Sequence, residues 1–131
     1  MKNIIPEIFV DNCKEALEYY KEIFGGEIKN VQLADVNPMF KGKEGKIIHS
    51  ELHINENCII YLVDILSEEH DSKNVNILLE LENEEEINKI YALLKNKGSV
   101  KFELQKTFWG AYHAVVTDIN GIIWGLNYSN N

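Results

Sequence analysis

The chain contains no arginine; its 13 basic residues are all lysines, and 21 aspartates and glutamates give a formal net charge of −8. Without guanidinium groups it lacks the planar fork that holds phosphate or carboxylate groups with two hydrogen bonds. Nucleic-acid binding needs a cationic surface, so the charge balance argues against a nucleic-acid partner. The glycines fit neither the P-loop nor the dinucleotide-binding spacing, which also argues against a nucleotide cofactor.

Long apolar runs and cysteine frameworks are missing as well. No apolar stretch approaches the roughly 20 residues that span a membrane, and the N-terminal "MKNIIPEIFVDN" lacks the apolar core of a signal peptide. We therefore expect a cytoplasmic protein without a membrane partner. The two cysteines, Cys13 and Cys58, suit free thiols rather than a disulfide framework or a zinc site. Cys13 lies near a predicted helix start, where the pKa of a thiol can be lowered, although a small helix-face residue is the favoured interpretation.

One strand–helix–strand pattern occurs twice, over residues 6–33 and 77–104. Asn12 (or Asp11) and Asn83 are predicted N-caps, and Gly26 and Gly98 are predicted to end the helices. Two further strands follow each copy, "GKIIHSELHI" and "NCIIYLVD" in the first and "AYHAVVTDI" and "GIIWGLNY" in the second. Apolar residues recur at helical spacing at Cys13, Ala16, Leu17, Tyr20 and Phe24, and again at Ile87, Ile90, Tyr91 and Leu94.

This repetition predicts an α+β fold made of two tandem βαβββ modules in a single domain, residues 1–131. Module one covers residues 1–65, a short acidic linker covers 66–73, and module two covers 74–131. Each helix should cover one face of its sheet, leaving the other face free to curl around a cleft. We therefore predict a curved mixed sheet with a ligand in the cleft between the modules.

The paired modules, "FVDNCKEALEYYKEIFGGEI" and the closing "FWGAYHAVVTDINGIIWGLNY" resemble the vicinal oxygen chelate superfamily, which includes glyoxalase I, bleomycin-resistance proteins and extradiol dioxygenases. The "GKIIHSEL" strand and the C-terminal motif are most similar to its PhnB-like branch. The resemblance covers essentially the whole chain and implies a homodimer. A demethylubiquinone methyltransferase name has been attached to this branch, but the chain has no glycine-rich loop that would cradle a methyl-donor cofactor.

Metal-using members of this superfamily hold one divalent ion with a residue on the first and the last strand of each module. By the resemblance these positions fall at Ile5, Leu62, Asn76 and Gly125. Such ions need several converging oxygen or nitrogen donors, which this set does not supply. We therefore expect neither the usual metal nor another cofactor. A shift of one residue would bring in Glu7 or Glu80 as neighbours, but not a full set.

The strand "KIIHSELHI" alternates between an apolar face and a face bearing His49, Glu51 and His53. Three interpretations of this second face stay open: a metal site, a hydrogen-bonding patch for a ligand, or a polar face that meets solvent or a partner subunit. Same-face neighbours stand about 7 Å apart along a strand, so the two histidines cannot easily share an ion. The same residues are the candidates for acid–base catalysis.

Further ligand-binding candidates are Glu7 and Phe9, which share the strand face of Ile5, and Trp109 in the aromatic loop "KTFWGAYH". Trp109 could equally close the end of the sheet. Trp124 is predicted to be core, His70 to be a solvated linker residue, and the loop 35–45 to be a lid or a dimer contact.

These observations favour a protein that binds a small, partly apolar molecule in the inter-module cleft without the usual metal. The alternative is a lyase- or dioxygenase-type enzyme that uses an unusual metal site or the His/Glu groups, so catalysis stays open. A third possibility is an association protein whose cleft is filled by its own side chains.

Overall fold

The computed structural model describes residues 1–67 and 74–129, with the backbone alone for Val36. Most of the predicted linker, including His70, lies outside the described residues. The chain divides into two compact units, Met1–Asp71 and Ser72–Asn131. Each unit contains one helix and one four-stranded sheet.

In the first unit, the strand at the N-terminus pairs in parallel with the last strand, and the other pairings are antiparallel. The strand order is β1-β4-β3-β2. Two short 3-10 turns, Ala34–Val36 and Pro38–Phe40, lie in the loop between the second and third strands. The elements are β1 (Glu7–Val10), α1 (Cys13–Phe24), β2 (Glu27–Leu33), β3 (Ile47–His53) and β4 (Ile59–Asp64).

The second unit repeats this topology, with strand order β5-β8-β7-β6 and a parallel pairing of its first and last strands. The predicted α+β fold of two βαβββ modules is thereby confirmed. The elements are β5 (Ile77–Glu80), α2 (Glu84–Lys95), β6 (Ser99–Lys106), β7 (Ala111–Thr117) and β8 (Ile123–Ser129).

Helix α1 begins where two side chains satisfy its first backbone N–H groups. The Asn12 side chain accepts a hydrogen bond from the Glu15 N–H at 3.3 Å, as predicted for an N-cap. Buried Asp64 accepts one from the Cys13 N–H at 2.8 Å and, with its other oxygen, one from the Ile47 N–H at 2.7 Å. One carboxylate of β4 thus ties together the start of α1 and the start of β3.

Helix α2 begins with a reciprocal cap. The Asn83 side chain accepts from the Glu86 N–H at 2.8 Å, and the Glu86 carboxylate accepts from the Glu82 N–H at 2.9 Å. The predicted cap at Asn83 is confirmed. Neither α1 nor α2, the two helices of the described residues, has the length and apolarity that crossing a bilayer requires.

The core of each unit lies between the helix and one sheet face. In the first unit, Ser50 contacts the Cys13 sulfur at 3.5 Å and donates to the Leu62 carbonyl at 2.6 Å, which places Ser50 and Leu52 on the side of α1. In the second unit, Trp124 is fully buried, which confirms it as core, and its indole N–H donates to Asp118 at 2.8 Å.

Cys13 is buried on α1, in agreement with the favoured interpretation of a small helix-face residue, and burial raises the pKa of its thiol to about 11. Two other expectations are corrected by this packing. Ile23 rather than Phe24 completes the buried stripe of α1. Strand β1 begins at Glu7, so Ile4 and Ile5 precede it.

Candidate functional site

The face of the first sheet opposite α1, here called the open face, carries the polar residues predicted on β3. Direct cross-strand pairing runs from Glu7 to Tyr61, from Tyr61 to Glu51, and from Glu51 to Lys29. Since paired residues point to the same side of a sheet, these four side chains form one row across all four strands. Phe9, two residues along β1 from Glu7, lies on the same face.

The structure brings His49, Glu51 and His53 together on this face. Each residue is two positions from the next along β3, so the three side chains project to the same side. The Nε2 atom of His49 lies 2.6 Å from one Glu51 carboxylate oxygen, and that of His53 lies 2.6 Å from the other. One carboxylate therefore holds both imidazoles, and we call the three residues the His–Glu–His cluster.

A bulge in β2 supplies a third donor to the cluster. Asn30 has a positive φ of 55°, and the pairing with β3 shifts register between Lys29 and Gln32. A bulge of this kind redirects a side chain, and the Asn30 amide donates to Glu51 at 3.1 Å. Sequence reasoning missed Asn30, because a bulge inside a polar edge strand leaves no signal in the alternation of residues.

Hydrogen bonds keep Glu51 ionised although it is buried. Donation from His49 and His53, with a smaller contribution from Asn30, outweighs desolvation and lowers the pKa of Glu51 from 4.5 to about 2. The imidazoles themselves remain accessible, with side-chain exposures of 28% and 24%, against 11% for Glu51. A molecule on the open face would therefore contact the imidazoles rather than the carboxylate.

Apolar surface adjoins the cluster. The ring of Tyr61 meets the His49 imidazole edge to face, with 4.8 Å between centroids. Phe9 is partly buried on the same face, and Ile59 and Val63 lie on either side of Tyr61 with the same orientation along β4. Tyr61 was not singled out from the sequence, although its alternation with Ile59 could have identified it.

Trp109 lies in the second unit, apart in the chain from the other candidates. It is 55% exposed and packs edge to face on Phe108, with 4.9 Å between centroids, and on His113, at 6.1 Å. The Nδ1 atom of His113 is buried, and no described residue offers it a hydrogen bond. Trp109 thus belongs to an aromatic loop cluster that the sequence only partly indicated.

The family of this chain is shown by a sequence match over most of its length. Residues 5–126 match the sequence profile of the Glyoxalase/Bleomycin resistance protein/Dioxygenase superfamily. The chain belongs to this superfamily. No curated protein sequence matches it.

Solved structures of the superfamily fold are similar over nearly the whole chain. A protein of Pseudomonas aeruginosa is 26% identical, with 98% of each chain covered and a TM-score of 0.86. A PhnB protein of Bacillus cereus, provisionally named a 3-demethylubiquinone-9 3-methyltransferase, is 22% identical, covering 98% of this chain and 100% of its own, with a TM-score of 0.81. A mutant of the fosfomycin resistance protein FosX of Listeria monocytogenes, in complex with Mn(II) and a dihydroxypropylphosphonic acid, is 13% identical, covering 99% and 92%, with a TM-score of 0.65.

The four positions that the resemblance assigned to metal ligands do not offer a set of donors to an ion. Leu62 is fully buried on the α1 side of β4, and Gly125, which pairs with Leu78, has no side chain. Ile5 and Asn76 precede the first strands of their modules. Among residues 1–67 and 74–129, no group of three or more His, Cys, Asp or Glu side chains is arranged to hold a metal.

The two last-strand positions, Leu62 and Gly125, also differ in the sheet face that they occupy. Each face is defined relative to the helix of its own unit. Leu62 faces α1, whereas Gly125 alternates with the fully buried Trp124 and Leu126 and pairs with the exposed Leu78. The equivalence between "CIIYL" and "GIIWG" is therefore displaced by one residue, which corrects the assignment of Leu62. On the open face of the first sheet the corresponding pair is Glu7 and Tyr61, a single carboxylate beside a phenol.

Glu80 does not complete a metal site either. The Asn127 amide donates to both of its carboxylate oxygens, each at 3.1 Å. The carboxylate of Glu80 is thus already engaged within its own sheet, and no imidazole of the described residues 1–67 and 74–129 shares it.

Proposed function

We propose that this superfamily member binds a small, partly apolar molecule on the open face of its first sheet, without the metal ion that other members use. The observation that carries the proposal is the His–Glu–His cluster, in which a buried carboxylate holds two accessible imidazoles beside Tyr61, with Phe9 on the same sheet face. Binding sites of this kind combine a mainly apolar lining with a few oriented polar groups.

The polar part of the site is preorganised. Glu51, itself held by the Asn30 amide, fixes the two imidazoles in place, so a ligand need not order them. Tyr61, Phe9 and Ile59, which are partly exposed, supply the apolar part from β1 and β4. The site therefore suits a ligand with one apolar side and at least one polar group.

The absence of a metal requirement is tested by thermal unfolding of metal-stripped protein, followed by calorimetry, with and without excess Ni²⁺, Zn²⁺, Mn²⁺ or Fe²⁺. A ligand at 100 times its Kd stabilises the folded state by about 2.7 kcal/mol, which moves Tm by several degrees. We expect no such shift with any of these ions. A shift that disappears in Glu51→Ala would contradict the proposal and indicate a metalloenzyme.

A second candidate function is acid–base catalysis, which the exposure of both imidazoles favours. Histidine is a common general base, and a carboxylate partner that orients its ring is a recurrent feature of such sites. Here Glu51 would orient and His49 or His53 would move the proton. Turnover of a bound molecule that is lost in both His49→Ala and His53→Ala would support this function over binding alone.

We further propose that the protein is a cytoplasmic homodimer. The superfamily resemblance supports this, and Met39, in the loop between β2 and β3, is 80% exposed and available for contact with a partner. Sedimentation equilibrium is expected to give twice the 15.1 kDa mass of the chain. A mass equal to one chain at all concentrations would contradict the dimer.

A further inference from the structure

The hydrogen bonds of the His–Glu–His cluster determine which ring nitrogens carry protons. An ionised carboxylate has no proton to donate and can only accept. Each Nε2 atom lies 2.6 Å from a Glu51 oxygen, so each Nε2 must carry the hydrogen of that bond. Where the imidazoles are neutral, both are therefore held as the Nε2–H tautomer, with a bare lone pair on Nδ1.

Those lone pairs accept no hydrogen bond from the part of the chain that the structure describes. No side chain or backbone N–H among residues 1–67 and 74–129 donates to the Nδ1 atom of His49 or of His53. Both rings remain partly exposed, whereas Glu51 already accepts from three donors. The cluster therefore offers hydrogen-bond acceptors to the open face.

The charges around the cluster also disfavour an anionic ligand. Glu51 is ionised, Glu27 stands on the neighbouring strand β2 across from His53, and Glu7 stands one strand further away, on β1, across from Tyr61. Lys29, which pairs across from Glu51 on β2, has its ammonium 3.6 Å from the Glu27 carboxylate. An anionic ligand would therefore be repelled by these carboxylates and by the lone pairs on the two Nδ1 atoms.

We infer that the ligand of the proposed binding function presents a hydrogen-bond donor, as an alcohol or an amine does, to Nδ1 of His49 or His53. A carboxylate or phosphate group is disfavoured there. Glu51 acts as a positioning residue that fixes the tautomer of both rings. The inference rests on the proposed function, but it makes a separate claim about ligand chemistry.

The tautomer is tested directly by long-range ¹H–¹⁵N NMR correlation on the full chain at about pH 9, above the usual range of imidazole titration. We expect the Nε2–H pattern for both His49 and His53. In Glu51→Gln the side chain has one carbonyl oxygen and one amide N–H group, so one ring should change to the Nδ1–H form. An Nδ1–H pattern in the unsubstituted protein would overturn the inference, whether or not a ligand is found.

The ligand preference is tested with three matched probes: benzyl alcohol, benzyl methyl ether and benzoate. Titrations at about pH 9 are followed through the ring resonances of His49 and His53. One hydrogen bond is worth roughly 1 kcal/mol, so the alcohol should bind about fivefold more tightly than the ether, which has lost the donor. Benzoate should bind more weakly than both.

Two variants and one control distinguish an effect of the imidazole tautomer on the alcohol-to-ether ratio from an effect of local charge. Glu51→Gln should lower this ratio, because one of the two Nδ1 acceptors is lost, and the double variant His49→Ala/His53→Ala, which removes both acceptors, should bring the ratio to one. Glu27→Gln also removes one negative charge beside His53, but its carboxylate accepts from neither ring, so it should leave the ratio unchanged. Equal binding of all three probes would support the proposed function and overturn the donor requirement. No response of either ring to any probe would contradict both.

Discussion

At the scale of single residues, Glu51 determines the charge and the hydrogen bonding of the open face. A buried carboxylate is ordinarily harder to ionise, and here three hydrogen-bond donors reverse that tendency. The consequence is a negative charge that is fixed in place and shielded from solvent by the groups that bind it. Such a group should contribute measurably to stability.

Acid unfolding should expose this contribution. The pKa of Glu51 is about 2 in the folded protein, against an ordinary 4.5, so the unfolded chain takes up the proton first. The stabilisation is therefore complete above pH 4.5 and is lost as the pH falls towards 2. A difference of this size corresponds to about 3 kcal/mol. Denaturant titrations should show Glu51→Gln less stable by that order at neutral pH, with the gap closing in acid.

Glu27→Gln is the matched control for that experiment. The Glu27 side chain is 76% exposed and lies across from His53 on the same sheet. Its substitution should change stability by less than about 0.5 kcal/mol at any pH. A stability loss in Glu51→Gln that did not vary with pH would instead assign the effect to packing.

At the scale of elements, the start of β2 determines the position of the end of β3, which carries His53 of the cluster. Gly26 precedes β2 with a positive φ of 93°, and a Cβ atom there would overlap the His53 carbonyl oxygen and come within 2.7 Å of the Ile54 Cα. Its neighbour Gly25 also has a positive φ, 79°, but has open space around the position of a Cβ. The close approach at Gly26 therefore sets the distance between β2 and the end of β3.

A pair of alanine substitutions separates backbone strain from this close approach. Gly25→Ala should cost about 2 kcal/mol, because its φ of 79° and ψ of −165° lie in a backbone region that residues with a Cβ rarely adopt. Gly26→Ala should cost on the order of 3 kcal/mol or more, because β3 must also move. Chemical denaturation measures both, and equal losses would contradict the role of the approach to His53.

The elements themselves could be predicted because each carries a local signal. Asn12 and Asn83 cap helices with apolar stripes, and "NG" at residues 120–121 marks a tight turn. Alternation along β3 likewise predicted that His49, Glu51 and His53 share a face. The convergence of both imidazoles on one carboxylate could not be predicted, since it depends on rotamers. The bulge at Asn30 and the one-residue displacement at Leu62 depend on pairing between strands, which the order of residues does not encode locally.

At the scale of the whole molecule, the net charge limits the classes of macromolecule that can bind. The chain has a net charge of −8, and its cations are lysines alone. Nucleic-acid binding depends on neutralising phosphates with cationic side chains.

We therefore expect no retardation of double-stranded DNA or single-stranded RNA in mobility-shift experiments, even at about 0.05 M salt, where electrostatic binding is strongest. A complex that weakens steeply as salt is added would contradict this. An acidic protein of similar size provides the background, and lysozyme-like basic proteins provide the positive comparison.

The distribution of tryptophan has a practical consequence for the study of this molecule. Both tryptophans, the buried Trp124 and the half-exposed Trp109, belong to the second unit. Tryptophan emission therefore arises from the second unit, and the first unit contains tyrosine but no tryptophan. A screen that follows tryptophan emission has no reporter within the first sheet. Phe9→Trp would place one on the open face and give each unit its own signal.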